Sequence, residues 1–144
     1  MQRLWHKAGE LGLAIELHIS PDQARGLTQA LKHLPSYPVI IDHLAEPGLG
    51  NADEYQDVLT LACYPHVWMK LSALERLSSE LGDSQSLKEL VNRVAEKFGP
   101  HRLIWGGGYP DYLDALLDTF TPEERDRVKG KNLAELIPGW DDNG

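Results

Sequence analysis

The chain reads as an α/β protein built on a parallel sheet of four strands, and three observations predict it. Short apolar runs rich in β-formers recur at a spacing of about 30 residues, each followed by a helical pattern. Right-handed crossovers turn that rhythm into parallel βαβ units. Val39–Leu44 (Val-Ile-Ile-Asp-His-Leu) is apolar on successive residues, as strands covered on both faces tend to be. Arg102–Pro110 runs Leu103-Ile104-Trp105 directly into Gly106-Gly107-Gly108, a buried strand whose C-terminal end is bare backbone. In α/β folds that end of a strand is where ligands bind.

In chain order, Gln2–Leu11 places Leu4, Trp5, Ala8 and Leu11 at helical spacing, and Gly12 stops it. Leu13–Ile19 is the first strand. Ser20-Pro21 opens a helix, with Ser20 as N-cap and proline at the first helical position, running to about Leu34. Val39–Leu44 is the second strand, and Glu46–Asn51 a Pro/Gly-rich loop. A helix is expected over Ala52–Cys63 and the third strand over His66–Leu71. Ser72–Ser84 is polar and is expected to be a loop over a site. Leu87–Phe98 is a strongly amphipathic helix closed by Gly99-Pro100. After the fourth strand come helices over Asp111–Phe120 and Pro122–Ile137, the second capped by Thr121 with Glu124 three residues on. The tail Pro138–Gly144 is expected to be loose.

A length of 144 residues suits one domain, here residues 1–144 throughout. The net charge of −8 argues against nucleic acid and anionic membrane as partners. No apolar run approaches the ~20 residues that span a bilayer, and the N-terminus carries no apolar segment of a secretory signal. A single cysteine, Cys63, forms no internal disulfide; it is expected in the core, and the location is expected to be cytoplasmic.

Four strand ends carry polar residues or glycine: Leu17-His18, Ile41-Asp42-His43-Leu44, Val67–Ser72 (Val-Trp-Met-Lys-Leu-Ser) and Phe98–Gly106 (Phe-Gly-Pro-His-Arg-Leu-Ile-Trp-Gly), the last followed by Tyr109-Pro110. Together with Asn132-Leu133-Ala134 in the last helix, this pattern resembles the amidohydrolase-related metal-dependent hydrolases. The branch in question holds lactonases and 2-pyrone-4,6-dicarboxylate hydrolases. The resemblance implies half of a TIM (β/α)8 barrel, with the four strands corresponding to family strands five to eight. It also implies hydrolysis of lactone or carboxylated cyclic substrates.

What the resemblance implies for single residues is equally specific. His18 and His43 take the catalytic positions, with His18 as a metal ligand. Lys70, Ser72 and Arg76 take positions that hold substrate carboxylates. Gly108 stands where the family carries the aspartate that activates water, and the first-strand His-x-His pair has no counterpart. A divalent metal, zinc or manganese, is implied for metal-dependent members, while two histidines alone fall short of the three ligands zinc normally takes. No cofactor is therefore expected for this chain alone. Asp111 lies close in sequence but is expected to point away. Read from the residues alone, His18 and His43 are equally well two hydrogen-bonded histidines on a packed rim. His6, His33, His66 and His101 are expected at the surface, and Trp105 in the core.

Four strands cannot close a barrel, so a homodimer with two-fold symmetry that completes eight strands is the expected assembly. The functional alternative to an impaired hydrolase is a catalytically inactive half-barrel that serves binding or assembly.

Overall fold

Apolar strand segments and amphipathic helices assemble into one parallel sheet of order β1-β2-β3-β4 in a computed structural model that describes residues 2–137. The strands are β1 (Ile15–Leu17), β2 (Val39–Ile41), β3 (Val67–Leu71) and β4 (Leu103–Trp105). Register pairs Ile15 with Val39, Val39 with Val67, and Met69 with Leu103. Side chains alternate across a sheet, so Val39, Ile41, Val67, Met69, Leu71 and Leu103 share one face, and each is fully buried. That face meets the helices. The opposite face carries Glu16, Ile40, Trp68, Lys70 and Ile104.

Helices follow the strands: α1 (Gln2–Glu10), α2 (Ala24–Leu31), α3 (Ala52–Thr60), α4 (Leu74–Leu81), α5 (Ser84–Phe98), α6 (Pro110–Leu116), α7 (Pro122–Asp126) and α8 (Asn132–Leu136). Local chemistry starts several of them. Asn51 accepts hydrogen bonds from the Asp53 and Glu54 amides while Glu54 accepts from the Asn51 amide, a complete capping box for α3. Asp83 caps α5 through the Ser86 amide, and Thr121 with Glu124 caps α7 as expected. Arg102 fixes the start of β4 by donating to the carbonyls of Phe98, Tyr64 and Ala62.

Several expectations are corrected. Ser72–Ser84 is not a loop: Leu74, Leu77 and Leu81 form the packed stripe of α4, and the polar residues between them are its solvent face. Cys63 is exposed, because a tight turn at Leu61–Cys63 ends the helix early, burying Leu61 and turning the thiol outward to donate to the Thr60 carbonyl. The first strand shortens to three residues, and the second stops at Ile41. The last helix is broken at Arg127–Lys131 by a wider π-type turn, next to which buried Asn132 donates to the Pro100 and Leu103 carbonyls. His66 is half-buried with both ring nitrogens enclosed, and burial holds its pKa below the ordinary histidine value. Trp105 is half-buried against the core. The expectation for Pro138–Gly144 falls outside the described residues.

Candidate functional site

The C-terminal ends of the strands converge on one rim. His18 follows β1, His43 lies two residues beyond β2, Ser72 follows β3, and Gly106–Gly108 follow β4. What brings His43 and its neighbours inward is unusual backbone: His43, Leu44, Ala45 and Glu46 are all left-handed, with φ of 50°, 53°, 59° and 50°. For L-residues this costs about 1–2 kcal/mol each, and such strain persists only where the surroundings over-determine it. Here Leu44 and Ala45 are fully buried, and the Tyr55 hydroxyl donates to the Leu44 carbonyl at 2.9 Å.

The turn delivers a connected set of polar groups. His43 Nδ1 lies 2.7 Å from Ser72 Oγ, and His18 Nε2 lies 2.8 Å from Glu46 Oε1. The two imidazoles meet edge to face, with ring centroids 5.2 Å apart. Arg76 grips Glu46 with both terminal nitrogens, at 2.8 and 2.9 Å, and also donates to Glu80 at 2.7 Å. The Glu46 side chain is only 5% exposed. Burial alone would raise its pKa, but hydrogen bonds from Arg76 and His18 outweigh that and hold the carboxyl below its ordinary value.

The predicted site residues divide. His18, His43, Ser72 and Arg76 come together, joined by Glu46. Lys70 does not join them, because its side chain points to the opposite face of the sheet from Leu71. There it pairs with Glu16 and, at 3.1 Å, with Asp42. Burial works against the charge on Lys70, but these two carboxylates outweigh it and raise its pKa, so the ammonium stays charged and is already paired within the chain. Arg76 is likewise occupied by carboxylates rather than open to a substrate anion. Gly107 and Gly108 have φ of 105° and 115°, and a Cβ placed on Gly108 would stand 3.3 Å from Glu75 Oε1. Asp111 is exposed in the first turn of α6. Of the remaining histidines, His6, His33 and His101 are exposed as expected.

Sequence reasoning missed Glu46, the carboxylate at the centre of the network. Its signal was an acidic residue three positions after His43, hidden because Glu46–Asn51 reads as a Pro/Gly-rich loop. It also missed Glu75, which sits against the Gly108 backbone and accepts weakly from the Tyr109 amide at 3.4 Å.

Two imidazoles and one carboxylate offer ligand atoms that all lie within 4.8 Å of one another: His18, His43 and Glu46. Nitrogen and oxygen donors in this number suit zinc or manganese. Ser72 fixes the His43 ring and Arg76 the Glu46 carboxylate, as partners behind metal ligands do. His18, with a side chain 62% exposed, leaves the group open to solvent on one side. The donor set therefore fits a divalent cation.

Comparison with known proteins gives the arrangement its context. An amidohydrolase family model matches residues 2–137. The 4-sulfomuconolactone hydrolase of Hydrogenophaga intermedia is 28% identical over 148 residues, covering 90% of this chain and 48% of its own length. The L-fucono-1,5-lactonase of Burkholderia ambifaria is 30% identical over 143 residues, covering 86% and 49%. In fold, a Burkholderia multivorans amidohydrolase crystallised with zinc superimposes with a TM-score of 0.80 at 18% identity, over 94% of this chain and 56% of that one. An Acinetobacter baumannii structure designated probable 2-pyrone-4,6-dicarboxylic acid hydrolase, with citric acid bound, gives 0.75 at 23% identity, over 94% and 56%. Among the described residues, no helix is long and apolar enough to cross a membrane. The sheet of four parallel strands, the rim at their C-terminal ends and the match over all the described residues lead to one conclusion: the chain belongs to the amidohydrolase family and spans about half the length of the curated relatives it matches.

Proposed function

We propose that this chain supplies one rim of a lactone-hydrolysing site, through His18, His43 and Glu46, and that the rim is catalytically incomplete by itself. The observation that carries this reading is the convergence of those three side chains at the strand ends. Glu46 orients His18, Ser72 orients His43, and Arg76 keeps Glu46 ionised and in place. His18, His43 and Glu46 would hold a divalent cation, which when bound polarises a carbonyl and acidifies a coordinated water. The step these residues do not provide is proton abstraction from water. Glu46 is engaged by Arg76 and His18, and position 108 is glycine. Loss of a general base alone removes about 10²–10⁴-fold in rate.

A second reading is an inactive half-barrel that serves binding or assembly. It is favoured by the pairing of Lys70 with Glu16 and Asp42 and of Arg76 with Glu46 and Glu80, which leaves neither cation open to a substrate carboxylate.

Titration with Zn²⁺ or Mn²⁺ by calorimetry, beside L-fucono-1,5-lactone turnover, tests the proposal. One cation per chain is expected, lost in His18→Ala and His43→Ala without change in circular dichroism, with turnover at a residual level. If neither cation binds and His43→Ala leaves any turnover unaltered, the catalytic-rim reading is wrong and the assembly reading stands.

A further inference from the structure

The turn that carries His43 and Glu46 is anchored from different elements along its length. At its start, Ser72 after β3 holds the His43 ring, and at its end Arg76 of α4 holds the Glu46 carboxylate. Its middle is held from α3. There the Tyr55 hydroxyl donates to the Leu44 carbonyl, 11 residues back along the chain, at 2.9 Å. Tyr55 is only 4% exposed, and burial holds its pKa above the ordinary tyrosine value, so the hydroxyl keeps the proton it donates.

This middle anchor bonds to none of the proposed ligand atoms, yet it acts where the backbone is most strained. The consecutive L-residues His43–Glu46 stay left-handed only while their surroundings hold them there. Without the hydroxyl, the carbonyl of fully buried Leu44 loses this donor, which favours any backbone arrangement that returns it to another donor or to water. His43 and Glu46 flank Leu44 and Ala45, so rotation there swings both side chains, His43 away from Ser72 and Glu46 away from His18. Tyr55 itself is firmly placed. Asn51 caps α3 one turn earlier, and the Tyr55 amide donates to the Asn51 carbonyl at 2.9 Å. The chain returning from the turn packs so closely that a Cβ on Gly50 would stand 2.6 Å from Pro21.

We infer that Tyr55 is a positioning residue for the site: its hydroxyl holds the left-handed turn that keeps the His43 imidazole and the Glu46 carboxylate aimed at the same point. The consequence for cation affinity rests on the function proposed above, whereas the consequence for the placement of His43 and His18 does not. Glycine supplies the control. It adopts a left-handed φ without the penalty of a Cβ, so Ala45→Gly, at φ 59°, makes the turn less dependent on the hydroxyl. A residue that merely packed beneath the site would not be rescued in that way.

The test compares the parent, Tyr55→Phe, Ala45→Gly and the double variant by proton–nitrogen NMR of the imidazoles without metal, then by Zn²⁺ titration. In Tyr55→Phe the His43 and His18 resonances are expected to move while those of the exposed His6, His33 and His101 stay. In the Ala45→Gly background the same loss of the hydroxyl is expected to move them far less. Zn²⁺ affinity is expected to fall by about 10–100-fold in Tyr55→Phe, as for partners that orient metal ligands, and to recover in the double variant. Unmoved His43 and His18 resonances in Tyr55→Phe, or a displacement of equal size whether or not residue 45 is glycine, would overturn the inference. If circular dichroism shows Tyr55→Phe unfolded, the double variant decides. Folding restored with both rings in place supports the inference, and displaced rings or a chain still unfolded overturn it. A parent that binds no Zn²⁺ counts against the proposed function only, because the imidazole spectra are read without metal.

Discussion

Each Glu46 oxygen takes part in hydrogen bonding, one with His18 and Arg76 and the other with Arg76, and the side chain has almost no access to water. Removing Arg76 strands that charge. Arg76→Ala is therefore expected to cost about 1–3 kcal/mol in urea unfolding, below the full penalty for an unpaired buried charge because His18 remains and the guanidinium is half exposed. The pH dependence has a definite sign. The Glu46 carboxyl is depressed in the folded chain, so its contribution is present above the ordinary carboxylate pKa and is lost as pH falls through the lower folded value. In Arg76→Ala this acid-side loss shrinks, which a urea midpoint series from pH 7 to pH 3 measures. Gly108 offers a second test. Restoring a carboxylate with Gly108→Asp puts a side chain at φ 115° and its Cβ 3.3 Å from the Glu75 carboxylate. The variant is expected to lose about 1–2 kcal/mol in thermal unfolding through backbone strain and like-charge repulsion, with no gain in lactone turnover. Adding Glu75→Gln should return part of that loss. The legibility of the site differs residue by residue. His18 and His43 were visible because strand ends can be found from apolar runs. Glu46 was not, because its approach depends on four consecutive left-handed residues that no propensity encodes.

At the scale of elements, the start of α7 was readable, since Thr121 with Glu124 announces itself as a capping box, whereas the equivalent box of Asn51 with Glu54 was hidden at the end of a Pro/Gly-rich loop. The start of α4 was not readable. It begins after Ala73, a residue held at φ 54° with no side-chain cap, and its three leucines are spaced within a run of polar residues that reads as loop. Ala73→Gly removes the left-handed penalty while loosening the unfolded chain. A net gain of about 0.5–1 kcal/mol is expected, seen as a rise in melting temperature. No change in cation binding is expected, because Ala73 touches none of the ligating atoms. The shortened strands have a simpler cause. Only the residues that pair across the ladder count, and beyond Ile41 the chain must leave the sheet to bring His43 to Ser72.

For the whole molecule, the parallel sheet and the barrel-half architecture were legible because alternation of strand and helix fixes handedness and layer order.

Glu16 has a consequence for behaviour in concentrated solution. It occupies the middle of a three-residue edge strand and is held against Lys70. An unpaired sheet edge is a template for runaway strand addition, and a charged residue on a short edge strand is one of the commonest defences against it. That defence depends on an ion pair half open to solvent, and salt screens such pairs over about 8 Å at physiological ionic strength. Self-association of the chain is therefore expected to rise with added salt, which light scattering over a salt series measures.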